Sequence, residues 1–448
     1  MKQFQAPLSL GISRLLLYFL LLCGGFIACK KPDVPHRPND NASRYSSDVI
    51  DKWLNMQLRL IRNSPGQNGL IVARYYAYSG VAAFLSLRPG TSISNFDGKL
   101  NGLKALPVID KSKRVYWPAC VNAALASMNR TFFPTAPDID KAAIDSLELA
   151  LNTAFLITEN QGAITRSRTF GNDVAKSVLN WSETDGAKHA NDPYTLPAGP
   201  GLWVPTPTAF APPLLPYWGN NRPFIAGDID NTQPGPPTPY SEDPKSDFFR
   251  MAKHVYDVSQ HLTADQTAMA IFWRDGPGYT PGGHWISILQ QVLQQANSHL
   301  DKAAFAYALT GICINDATIS CWQTRFHYNL VRPVTYIQNV MGYSSWNSII
   351  PTPPHPEYTS AHTALSVAVA KVFTSIYGNI GSFTDHTYDY LGFTPRAYNS
   401  FDAIADEVSI SRLYAGIHYE PSLDQGIIQG EKVARNILRK MGLKERAN

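Results

Sequence analysis

Apolar residues along this chain recur mostly at three- and four-residue spacing. Ile50, Trp53, Leu54, Leu58 and Ile61 fall on one helical face. The same period marks Leu70–Leu87, Trp117–Arg130, Asp138–Phe155 and Asn172–Trp181. After a break it returns at Phe248–His261 and Ala264–Phe272, and the turn Thr280-Pro-Gly-Gly-His284-Trp285 enters a further helix. The longest periodic segment starts at Asn297 and runs through Phe305, Leu309, Ile312 and Trp322. A helix follows the Pro351–His362 stretch, and the last ones span Phe401–Tyr414 and Leu423–Met441. No run of regular alternation predicts a sheet, so the fold class is all-α.

The break is Leu196–Ser246, a segment rich in Pro, Gly and aromatic residues. An irregular stretch of this length covers a site or wraps a core, and Trp203, Phe210, Tyr217 and Trp218 argue against a solvated linker. The expected organisation is an N-terminal helical region over 47–195, a Pro-rich wrapping segment over 196–246, and a helical region over 247–448 that carries the chemistry.

Composition narrows the function. The chain has 448 residues, 44% hydrophobic and 17% charged, enough for a sizeable core. A net charge of +4 is weak for this length and indicates no nucleic-acid surface. No glycine-rich phosphate loop, CxxC, HExxH or GxSxG occurs. Residues 1–28 read as a signal peptide: a basic start is followed by an apolar run, Leu15–Ala28, too short to span a bilayer. The run ends in Phe-Ile-Ala-Cys and resembles a bacterial lipoprotein signal, with Phe26 where leucine is usual. Cys29 is then the lipidated residue, 29–46 a flexible tether, and the protein is expected to be exported and held at the membrane by this lipid alone. Beyond the signal, no stretch is read as long enough to span. Cys120, Cys313 and Cys321 are expected as buried free thiols.

The candidate chemistry lies in three segments. Pro351 to His362 reads PTPPHPEYTSAH and opens an apolar helix at Ser360. Serine before such a helix is an N-cap signal, and the first turn offers unpaired N–H groups to an anion. The longest helix ends in Trp322-Gln-Thr-Arg325-Phe-His-Tyr-Asn-Leu-Val-Arg332-Pro333, which places two arginines two helical turns apart, on one face. Ser411-Arg412 is followed by a predicted break at Gly416 and then His418. Three guanidiniums, two imidazoles, a hydroxyl and a helix N-terminus, with no carboxylate in the core of any segment, complement an oxyanion.

The order and spacing of these segments resemble the signature shared by vanadium-dependent haloperoxidases and type 2 phosphatidic acid phosphatases: Lys, six residues, Arg-Pro; then Ser-Gly-His; then Ser-Arg, five residues, His. The resemblance covers about Phe272 to Val433. It implies the helical bundles of that superfamily. Arg332 and Arg412 would grip equatorial oxygens, Ser360 and the Ala361 N–H would add hydrogen bonds, and His362 would be the acid–base group. His418 would be the axial ligand of vanadate or, in a phosphatase, the nucleophile.

Three positions depart from the pattern. Arg325 stands for lysine, and Ala361 stands for glycine, which would be costly if φ there were positive. Ser422 stands where an aspartate often orients the ligand histidine, leaving Asp424 as the substitute. His355 sits where bromoperoxidase-like members carry a histidine. The leading expectation is a vanadate-dependent enzyme that oxidises halide with hydrogen peroxide. Hydrolysis of a phosphate monoester or lipid phosphate on the same residues is the alternative, and a non-catalytic anion-binding lipoprotein the third.

Overall fold

Two helices cross so closely that only small residues fit between them. They are α2 (Gly69–Leu87) and α9 (Leu300–Tyr328), the latter the longest helix among the described residues. A Cβ on Gly80 would lie 2.7 Å from the Ala308 Cα, and one on Gly311 would lie 2.7 Å from the Ala77 Cα. Backbone-to-backbone contact makes this crossing the axis of the larger apolar core, to which α1 (Asp48–Asn63) adds Ile50, Trp53, Leu54, Leu58 and Ile61, all buried.

The computed structural model describes residues 40–276 and 279–446. The segment Asn39–Asn448 clusters as one compact unit. Its remaining helices are α3 (Trp117–Phe132), α4 (Asp138–Phe155), α5 (Gln161–Ser182), α6 (Asp247–Gln260), α7 (Ala264–Phe272), α8 (Pro281–Gln295), α10 (Pro333–Asn339), α11 (Ala361–Tyr377), α12 (Phe401–Tyr414) and α13 (Glu420–Met441). The fold is all-α, as the periodicity predicts. Cys120, Cys313 and Cys321 are free and buried.

Several expectations need correction. Helix α5 starts at Gln161 rather than Asn172, because Asn160 caps it by accepting from the Ala163 N–H at 2.9 Å while polar residues mask the period. Pro333 opens a helix instead of only ending one, since proline's missing N–H costs nothing in a first turn. A two-stranded antiparallel pair, β1 (Phe383–Asp385) with β2 (Arg396–Tyr398), is too short to show alternation. Residues 40–46 are docked rather than flexible: Ala42 is fully buried and the Trp117 indole donates to the Asp40 carbonyl at 2.6 Å. The span Gly69–Gly90 is long and apolar enough to cross a membrane by length and composition, but 83% of its apolar window is buried in the body. The signal peptide, Cys29 and the start of the tether lie outside the described residues.

The Pro-rich segment ties itself to later parts of the chain by its backbone. Trp203 donates its N–H to the Asn329 carbonyl at 2.7 Å, and Val331 donates to Gly201 at 2.9 Å. Leu214 donates to Pro354 at 2.8 Å, and the Tyr358 hydroxyl donates to Gly235 at 2.8 Å. Trp203 and Trp218 are buried, whereas Phe210 is exposed.

Candidate active site

Helix α9 ends at Tyr328, and Asn329 takes the left-handed conformation with φ +48°. Arg332 therefore leaves the helix and sits in extended backbone ahead of Pro333, not two turns along the same face as Arg325. The two guanidiniums meet all the same, on one imidazole. Arg332 Nη2 donates to His355 Nδ1 at 2.9 Å, and Arg325 Nη1 contacts the same nitrogen. Arg332 also donates to the carbonyls of His355 (2.9 Å) and Ile417 (2.8 Å), and Arg325 donates to Pro356 (2.7 Å). His355 is thus a buried hinge between two cations. Burial and the charges of Arg325 and Arg332 hold it well below its ordinary pKa.

His418 follows the break at Gly416, where φ is +78° and a Cβ would meet the Trp346 ring at 3.2 Å. Its Nε2 lies 3.4 Å from Arg332 Nη1, and its Nδ1 is 2.7 Å from Glu357 Oε1. Glu357, not Asp424, orients it: Asp424 is exposed on α13. Ser422 donates to Glu357 Oε2 at 2.6 Å and the Tyr419 N–H donates to Oε1 at 3.1 Å, so the serine at the family's aspartate position holds the carboxylate that replaces it. Burial raises Glu357 to about 7 against the pull of Arg332. Burial, then Arg332 and Arg325, keep His418 neutral, far below its ordinary value.

Ser360 caps α11, accepting from the Thr363 N–H at 3.3 Å and from the Thr363 hydroxyl at 2.8 Å. Ala361 is the first residue of that helix and is not among the positive-φ positions, so alanine in place of glycine costs no backbone strain. His362, in the same turn, keeps 18% of its side chain open and lies 3.3 Å through Nε2 from Asp275 Oδ2. Burial and the Arg412 charge lower it to about 4, opposed by Asp275. Arg412 is fully buried; its Nε donates to the Ser411 hydroxyl at 3.0 Å and its Nη2 has no protein partner among the described residues.

A cavity of about 160 Å³ opens on Arg325, His355, Ala361, His362 and His418. Its other wall is apolar, with Leu70, Leu214, Ile314, Trp322 and Leu365. Leu70 comes from the N-terminal region, which holds no catalytic constellation of its own. Arg332 and Arg412 do not line the cavity; Arg332 reaches its wall through His355 and His418.

Two carboxylates central to the site are absent from the sequence reading. Glu357 was visible as the single acid within Pro351–His362. Asp275 belongs to a turn with an Asp-Gly signal, and nothing in the sequence ties that turn to His362.

A family model described as the VCPO second helical-bundle domain matches residues 305–443. A solved structure described as the first bacterial vanadium-dependent iodoperoxidase superposes with TM-score 0.81 and 30% identity, covering 90% of this chain and 98% of its own. The chain belongs to the vanadium haloperoxidase superfamily. It is a haloperoxidase-like enzyme. Its fold is shared by an apo-type bacterial vanadium-dependent chloroperoxidase (TM-score 0.62, 15% identity, 84% of this chain and 95% of that one) and by a holo-type one (0.61, 16%, 86% and 96%). A comparison with curated protein sequences found no match.

Vanadate is the cofactor this superfamily implies, and the residues of this site fit an oxyanion. Three buried guanidiniums face only two carboxylates, each already bonded to a histidine. Burial and Arg325 pull Arg332 down to about 9, and burial pulls Arg412 down to about 10. Arginine stays protonated in proteins, so both guanidiniums are buried charges whose desolvation the nearby carboxylates do not offset. The buried, unpartnered Nη2 of Arg412 needs an acceptor.

Proposed function

We propose that this enzyme oxidises halide with hydrogen peroxide at an oxyanion site in which His418 is the ligand, in the balance X⁻ + H₂O₂ + H⁺ → HOX + H₂O. The observation that carries this reading is His418 itself. It is 2% exposed, its Nδ1 proton is committed to Glu357, and its Nε2 lone pair is left beside Arg332.

Arg325, Arg332 and Arg412 would hold the oxygens of vanadate, with the Ser360 hydroxyl and the Ala361 N–H beside them. When bound, vanadate supplies the activation that makes peroxide a two-electron oxidant of halide. The protein's own part is to bind, orient and move one proton. Glu357 fixes the His418 tautomer and keeps Nε2 unprotonated. The guanidiniums stabilise negative charge in a site where low dielectric strengthens every such contact. His362, the most exposed of the three histidines that line the cavity, would take a proton from peroxide and return it to the departing oxygen. The apolar wall admits a weakly hydrated anion more cheaply than a strongly hydrated one, which makes iodide the first halide to test.

Purified protein loaded with orthovanadate is expected to oxidise iodide with peroxide, and His418→Ala to abolish it. Vanadate-inhibited release of phosphate from a monoester, with no halide oxidation, would replace this reading by the phosphatase one. Binding of vanadate with turnover of neither substrate would leave an anion-binding protein. The reading also includes export and lipid anchoring at Cys29. Cys29→Ser is expected to release the protein from the membrane fraction, and unchanged fractionation would remove that part.

A further inference from the structure

His362 is the terminus of a chain of buried charges that the three-part signature does not contain. Asp275 stands in the left-handed region at φ +55°, which aspartate tolerates better than most residues. Its Oδ2 lies 3.3 Å from His362 Nε2, while its Oδ1 accepts from His284 Nδ1 at 2.7 Å and from the Tyr388 hydroxyl at 3.1 Å. His284 Nε2 in turn lies 2.7 Å from Asp385 Oδ2. Asp385 sits on β1, and its Oδ1 accepts from the Thr387 N–H (2.9 Å) and hydroxyl (2.6 Å) and from Gln291 (3.3 Å).

His284 is wholly buried in the first turn of α8, stacked on Trp273 with ring centroids 4.2 Å apart. Carboxylate oxygens face both of its ring nitrogens, so both must carry protons, and the ring is an imidazolium between two carboxylates. A carboxylate next to a histidine favours the charged form of that histidine. Here the positive charge of His284 already neutralises Asp275.

We propose that His284 and Asp385 are positioning residues for His362: they fix Asp275, whose Oδ2 lies 3.3 Å from His362 Nε2, and cancel its charge, so that this carboxylate does not lock the ring as a cation. This rests on the reading of His362 as the acid–base group. The groups facing His284 are Asp275, Asp385 and Tyr388. Those facing His362 are Asp275, Arg412, Arg325, His355 and His418. Without the Asp385 charge, His284 releases its proton more readily, Asp275 stands uncompensated, and the proton moves onto His362.

The test is histidine-selective ¹⁵N NMR titration of the purified full chain without vanadate, with His362 assigned from His362→Gln, alongside the pH profile of kcat/KM for iodide in the vanadate-loaded enzyme. Asp385→Asn and His284→Gln are each expected to raise the His362 midpoint by about one pH unit, about tenfold in proton affinity. The acid arm of the kcat/KM profile should move with it. A merely structural role would lower the melting temperature and leave the midpoint where it is. An unmoved midpoint in folded Asp385→Asn, or loss of fold in both variants, would overturn the proposal. If the unmodified enzyme oxidised no halide, the midpoints would still decide the positioning role, and only the functional reading would fall.

Discussion

Two histidine–carboxylate pairs face each other across this site, and they are built on opposite principles. His418 is bonded to Glu357 at 2.7 Å, and the acid's other partners are neutral donors, Ser422 and the Tyr419 N–H. His362 lies 3.3 Å from Asp275, whose other partners are the His284 imidazolium and Tyr388. Burial lifts Glu357 to about 7, while the Asp275 carboxyl is held below the usual range by its two histidines in spite of burial. The first pair locks a ring whose task is to stay still. The second leaves a ring free to exchange a proton, and moves the ion pairing one residue back.

The comparison can be broken from either side. His362→Gln should lower kcat for halide by about 10²–10⁴, the range of lost general acid–base catalysis, with orthovanadate affinity little changed. A matching loss of vanadate binding would erase the distinction between the two histidines.

The ionic side also has a stability signature. His284 is raised from 6.5 to about 9: burial opposes the shift, and the Asp385 charge and the bonds to both aspartates outweigh it. Stability from a raised histidine is fully present below pH 6.5 and is lost as pH climbs through 9. Unfolding by denaturant should therefore show about 3 kcal/mol of decline across that window, absent in His284→Gln. Equal slopes in both proteins would show that His284 is not the charged member.

On the locked side, Glu357→Gln should weaken orthovanadate binding about 10- to 100-fold, the usual cost of losing a ligand's orienting partner. Asp424→Asn should leave it unchanged, and the reverse pattern would restore the sequence-based assignment. The smallest effect belongs to Ala361→Gly, which should cost at most about 1 kcal/mol by helix propensity alone. A gain in stability would mean that the first turn of α11 is strained after all.

The signature residues were legible because arginine, serine and histidine at fixed spacings report directly on local chain geometry. Arg325, Arg332, His355, Glu357 and His418 form one bonded network in the folded chain. The supporting acids were not legible for a different reason. Glu357 lies within Pro351–His362 but acts across a gap of 61 residues, and Asp385 reaches His284 across 101. Spacing carries no information about such pairs. Asp424 was assigned as the nearest acid to the family's aspartate position, and on α13 it is exposed. His355 is buried, with two guanidiniums converging on its Nδ1. The crossing of α2 and α9 was hidden for the opposite reason: glycine and alanine carry almost no periodic signal, yet they set a backbone-to-backbone contact in the core.

The wrapping segment has a consequence for how the molecule can be divided. Its backbone reaches Asn329 and Pro354, on either side of Arg332, from more than a hundred residues away. Leu214, which it contributes, also lines the cavity. Residues 305–443 are the part that matches the family's second bundle, yet cut out alone they would lack part of the cavity wall and the strap bonded to Asn329 and Val331, beside Arg332, and to Pro354, beside His355. The catalytic unit is therefore larger than the segment that bears its signature.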